Sequence, residues 1–146
     1  MKKATQLFHY ISYLQYPLML IGIYYCYKPL ITEGASIWAD YNKALVFIGL
    51  SISFATLQDT TKTQNKISKK VWENPKYARP FLIYIALLIL FVISFGMYGL
   101  FASSNPKVQE LSFGTIVFGI GMIGLLKSAM EMAENHQKKP DNSTAL

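Results

Sequence analysis

The sequence predicts an all-α integral membrane protein: a four-transmembrane-helix bundle with its N- and C-termini in the cytoplasm. Three observations predict it. Hydrophobic residues make up 52% of the 146 and charged residues only 15%, against about 25% charged in soluble domains. The charges are clustered, leaving long stretches almost free of them, which is the pattern of membrane helices. Six of the fourteen Lys and Arg residues fall in one polar segment, Asp59 to Arg79, which separates two pairs of apolar stretches.

The first stretch runs from about Leu7 to Ile31. As one helix it would reach roughly 37 Å, enough to cross a ~30 Å hydrocarbon core with tilt. Pro17 cannot donate to the carbonyl of Tyr13, so a kink is expected there. A variant places Thr5 to Tyr16 partly in the interface and starts the span at Pro17. Six tyrosines (Tyr10, Tyr13, Tyr16, Tyr24, Tyr25 and Tyr27) gather near the two ends, as an aromatic belt would at each interface. Tyr10, Tyr13, Pro17, Leu20, Tyr24 and Tyr27 also follow 3-4-3-4-3 spacing, a helix seam suited to packing on a partner or lining a cavity. Lys2 and Lys3 resemble the start of a signal peptide. The apolar run is too long for one, and Glu33-Gly34-Ala35-Ser36 is a poor cleavage site, so retention is expected.

Lys28 to about Trp38 reads as a short outer loop, with Pro29 and Gly34 as turn residues. The second stretch, residues 37–58, is strictly apolar only from Ala44 to Leu57. Trp38 and Tyr41 would sit at the outer interface, with Lys43 snorkelling outward. Gly49 and Ser53, four apart, permit close helix approach.

Thr61-Lys62-Thr63-Gln64 matches a capping box. Ile67, Val71 and Trp72 fall on one helical face, with Lys62, Lys66, Lys69 and Lys70 on the other side. A basic amphipathic helix over about 61–73 is expected, suited to anionic lipid; a solvated extension of the second span is the alternative. Lys76 and Arg79 complete the basic membrane-surface set, and Asn74-Pro75 ends that helix. The third span, 80–102, starts at Pro80 and has no charge. The fourth, 112–132, starts at Ser112 as N-cap and continues past Lys127 into water. The transmembrane domain covers 1–139, and 140–146 is a disordered tail.

Orientation follows from the Lys and Arg count beside each span. The N-terminus has two, the central segment six and the C-terminal end three, against Lys28, Lys43 and Lys107 in the outer hairpins. Both termini and the central segment therefore face the cytoplasm of a multi-pass cell-membrane protein. The near absence of Arg beside Lys hints at an AT-rich bacterial genome and an inner membrane. The net charge of +6 flanks apolar spans, so its partner is the bilayer, anionic lipid at the cytoplasmic face, and not nucleic acid.

The chemistry-bearing residues exclude more than they offer. One cysteine, Cys26, allows no intrachain disulfide. His9 and His136 are far apart, so no metal site and no haem is expected. No cofactor and no catalytic set is indicated, and Glu131 and Glu134 read as a surface charge cluster beside Lys127. Asn142-Ser143-Thr144 is a formal glycosylation sequon on the cytoplasmic side. Gly119-Ile120-Gly121-Met122-Ile123-Gly124 spells a dinucleotide fingerprint, but that motif needs a preceding strand. As a stripe, Gly114, Val117, Gly121, Gly124 and Ser128 follow 3-4-3-4 spacing and let helices approach closely. Its expected partner is the tyrosine seam of the first span or a copy of itself. No charge sits at mid-membrane, against an ion-coupled transporter with a buried carboxylate. Gln15, Ser51, Ser53, Thr56, Ser94 and Thr115 are the polar groups within the spans.

The expectation is a non-enzymatic membrane protein acting through helix–helix association, as a self-associating scaffold or accessory subunit of a larger membrane complex. A small oligomeric channel or transporter is the alternative, with Gln15, Ser53, Thr56, Tyr13 and Tyr24 as candidate lining.

Overall fold

A computed structural model of the chain describes residues 2–32, 37–57 and 74–137. The described residues form helices, with no strand among them. The helices are α1 (Lys2–Ser12), α2 (Gln15–Ile31), α3 (Ile37–Ala55), α4 (Pro75–Phe101) and α5 (Pro106–Gln137). The basic residues Lys62, Lys66, Lys69 and Lys70, the amphipathic helix expected over 61–73 and the 140–146 tail lie outside the described residues.

The first apolar stretch is two helices rather than one. Around Tyr13 and Leu14 the bonds tighten: Tyr13 N–H donates to Tyr10 O, and Tyr16 N–H to Tyr13 O. Pro17 supplies no N–H to the carbonyl of Tyr13, so that carbonyl takes the Tyr16 donor instead. Pro17 then falls in the first turn of α2, where a missing N–H costs least. α2 runs through Pro29 to Ile31, so the expected outer loop at Lys28 is helix instead. Its 17 residues reach only about 25 Å.

Both later helices start at an Asn-Pro pair, earlier than expected. Asn74 and Asn105 each accept through Oδ1 from the N–H two residues on, at 3.0 Å. Pro75 and Pro106 hold the first helical position, where proline is preorganised. The expectation was that Asn74-Pro75 ends a helix, because the residue before proline avoids the helical region. That same restriction suits an N-cap, and Asn74 is extended at φ −103° and ψ 108°. Pro80 therefore lies inside α4. Ser112 lies inside α5 with its hydroxyl on Val108 O at 2.6 Å.

The packing follows a row in the order α2, α3, α5, α4, rather than a closed bundle. α1 touches the row at α3. α2 runs antiparallel to α3, and α4 antiparallel to α5. α3 and α5 run parallel, because Asn42 meets Gly114, Gly49 meets Gly121 and Thr56 meets Gly124 and Ser128. Thr32, Ile37 and the turn at 102–105 therefore lie at one end. Leu57, Asn74 and Gln137 lie at the other.

The interior combines small residues with one cluster of larger ones, Ile85, Ile89 and Met122, between α4 and α5. Ala44, Ala78, Ala129 and Ala133 are buried, and the most fully enclosed side chains are Ser12, Ser51 and Ser112. Most of the large apolar side chains are outside: on α4 these include Ile83, Leu87, Leu90, Phe91 and Phe101. α4's buried stripe runs Ala78, Ile85, Ile89, Gly96 and Gly99, positions that recur at threes, fours and their sums, so one narrow face alone meets α5. Residues 76–101 and 106–135 are long and apolar enough to cross a membrane. α2 and α3 do not meet that measure over their described residues.

Candidate functional site

The tightest helix contact is the crossing of α3 and α5. A Cβ built on Gly121 would fall on the carbonyl oxygen of Gly49. A Cβ on Gly49 would lie 2.7 Å from the Cα of Phe118 and 2.8 Å from the carbonyl of Val117. These are backbone atoms, which cannot turn aside as a side chain can. Glycine at both positions brings the two backbones into van der Waals contact. One end of the crossing is fixed by Asn42, whose Oδ1 accepts from the N–H of Gly114 at 2.6 Å. At the other end, Ser128 Oγ donates to the Thr56 carbonyl at 3.3 Å, and Gly124 faces the Thr56 side chain.

The small-residue stripe Gly114, Gly121, Gly124 and Ser128 therefore meets Asn42, Gly49 and Thr56 of α3. This corrects the expected partner, which was the tyrosine seam of the first span or a second copy. The seam lies on α2's far side, with Tyr10, Tyr13, Leu20, Tyr24 and Tyr27 all exposed. α2 meets α3 instead through Gly22, whose added Cβ would lie 2.7 Å from Ile48 Cγ1. A glycine between two large neighbours attracts α3 more closely than tyrosines could. The Ser53 hydroxyl donates within its own helix, to Gly49 O at 3.0 Å. Gly96 and Gly99 of α4 and Gly119 of α5 line the other interface, and the sequence reading passed over all three as packing residues.

The set considered as a lining is dispersed. Tyr13 and Tyr24 are on the outer face of the row. Gln15 is half-buried, and its backbone carbonyl accepts from Ser51 Oγ at 2.8 Å. Thr56 Oγ1 donates to Ser53 O at 2.7 Å, and Thr115 Oγ1 to Leu111 O at 2.9 Å. Each hydroxyl satisfies itself on a helix carbonyl, as serine and threonine commonly do in apolar surroundings.

A charged cluster lies at the turn end of the α2–α3 hairpin. Lys28 Nζ stands 2.9 Å from Asp40 Oδ1. Asp40 is 2% exposed, and its Oδ2 has no hydrogen-bond partner among the described residues. Lys28 also stands 5.7 Å from the centre of the Tyr25 ring, and Lys43 stands 5.4 Å from the same centre. Phe47 stacks on Tyr25 with the ring planes 3° apart. The sequence signal for this cluster was slight: an acid and two lysines near the two ends of one turn, which only the hairpin joins.

His9 packs edge-on against Tyr13 at 5.4 Å, and Cys26 is half-buried. Among the described residues no three His, Cys, Asp or Glu side chains gather as a metal site would require. Lys76 and Arg79 are exposed on the first turns of α4. Lys127 pairs with Glu131 at 3.5 Å on the surface. No protein-family model, curated protein or solved structure matches the chain.

Proposed function

We propose that the chain is a four-span integral membrane protein, with both termini and residues 58–73 cytoplasmic, that works without catalysis through helix–helix association. The observation that carries this reading is the outward display of large apolar side chains on each helix, while the closest helix contacts are made at glycine, alanine and serine. In water that arrangement forfeits the hydrophobic effect; in lipid it is the expected one, because helices there associate by close contact of small residues. The parallel run of α3 and α5 agrees with an in-and-out path of four spans, which sets both hairpin turns on one side. α2 and α3 are short for a full hydrocarbon core, and Trp38, Tyr24 and Tyr27 at their ends would meet the interface.

The glycine stripe is occupied within the chain, so association with a second copy or a larger complex falls to the faces left over. The tyrosine seam of α1 and α2 is the most distinctive of these. A pore draws less support, since the hydroxyls of Ser51, Ser53, Thr56 and Thr115 bond to the chain's own carbonyls. The test is expression of the tagged full chain, followed by an alkaline wash of the membranes and light scattering in detergent. Retention in the washed membrane and a mass above one protomer are expected. Release by the wash would overturn the membrane assignment. A strictly monomeric particle that co-purifies with no other chain would overturn association.

A further inference from the structure

We propose that the turn end of the α2–α3 hairpin binds the phosphate of an anionic lipid headgroup, between Lys28 and Lys43 beside Tyr25. This rests on the membrane reading above, which puts the site in the non-cytoplasmic leaflet, so the anionic lipid proposed here is distinct from that expected at the cytoplasmic face. Both ammonium groups lie within 5.7 Å of one ring centre, and that ring is itself held by Phe47 at 5.8 Å. Asp40 neutralises one of the two lysines, leaving a single positive charge in excess. It also fixes Lys28 in place, so one cation is already oriented before any ligand arrives. The carboxylate is buried and does not face a ligand approaching from outside. Among the described residues Lys43 has no acidic partner, and its side chain is exposed.

The surroundings favour a lipid over a free ion. Leu30, Ile31, Ile37 and Trp38 are exposed around the same hairpin end, and the acyl chains of a lipid would cover them where an inorganic ion could not. Aromatic rings beside lysines at a span end are also the usual anchors at the headgroup level.

The experiment uses the full chain in neutral detergent, with thermal unfolding followed as phosphatidylglycerol, phosphatidylcholine or inorganic phosphate is added. Phosphatidylglycerol is expected to raise the unfolding temperature more than phosphatidylcholine, and inorganic phosphate to have no effect. Lys43→Gln should weaken the phosphatidylglycerol response about five-fold, the effect of one lysine at an anionic surface, while Lys107→Gln in the other hairpin leaves it intact. Because Lys28→Gln would strand a buried carboxylate and could prevent folding, Lys28→Arg serves as the second variant, and it should keep the response. Equal responses to the two lipids, or a Lys43→Gln chain that responds as the parent does, would overturn the site. A full response to inorganic phosphate would overturn the lipid as ligand. Release of the chain by an alkaline wash would instead mark failure of the membrane reading.

Discussion

The carbonyl oxygen of Gly49 occupies the place where a side chain on Gly121 would have to begin. The two helices therefore touch through backbone. This explains why α5 carries a stripe of small residues and why the stripe is matched on α3 rather than on the tyrosines. Gly121→Ala should lower stability by about 3 kcal/mol, the upper range for overpacking, because a carbonyl has nowhere to move. Gly124→Ala should cost about 1 kcal/mol or less, since its added methyl meets only the Thr56 side chain at 3.1–3.2 Å. Chemical or thermal unfolding in detergent measures both. Equal losses at the two positions would contradict the crossing.

Asn42 sets the register of the same crossing. Its Oδ1 reaches the Gly114 N–H at 2.6 Å. Asn42→Ala should cost about 1 kcal/mol, within the range of interhelical hydrogen bonds in membrane proteins. Asn42→Asp keeps the acceptor and should be less damaging at neutral pH than the alanine change. An alanine variant as stable as the parent would remove the bond from the account.

The Lys28–Asp40 pair is asymmetric. Lys28 is 28% exposed at its side chain and Asp40 only 3%. Removing the lysine leaves a buried carboxylate with no partner, whereas removing the acid leaves a lysine that can reach solvent. Lys28→Met should therefore lower the unfolding temperature more than Asp40→Asn. Restoring stability in the double variant Lys28→Met/Asp40→Asn would identify the stranded charge as the cause. The reverse order of the two single variants would refute it.

Ala78, Ala129 and Ala133 pack together where α4 begins and α5 continues past Lys127. A leucine at position 133 would push the two helices apart there. Ala133→Leu should cost about 1–3 kcal/mol and increase hydrogen exchange in residues 127–137. Ala102→Leu, at an exposed position beyond the end of α4, should have little effect. Unchanged exchange in Ala133→Leu would mean the extension is not held by this contact.

Sidedness follows from the proposed topology. With Cys26 replaced by Ser, a cysteine at Ser104 should react with a membrane-impermeant maleimide from outside. One at Ser68 should react only after the membrane is opened. The same sidedness at both positions would require an even number of spans between them and would exclude the single crossing by α4.

The sequence by itself determined that the chain is helical and where the apolar runs fall. Residue type and local spacing carry that information: few charges, Pro17, Pro75 and Pro106 in the first turns of three helices, glycine and serine at helical intervals. It also marked the small-residue stripe of α5 as a packing face. It did not place the helix starts, because Asn-Pro reads equally as an end or as a cap until the Asn side chain is seen to accept a backbone N–H. Only the tertiary structure decided what the stripe packs on, that α3 and α5 run parallel in the middle of a row, and that Lys28 and Asp40 meet. Those are contacts between residues distant in sequence. They depend on which of several compatible surfaces fits most closely, and in this chain the closest fit is glycine on glycine, with the tyrosines left outside.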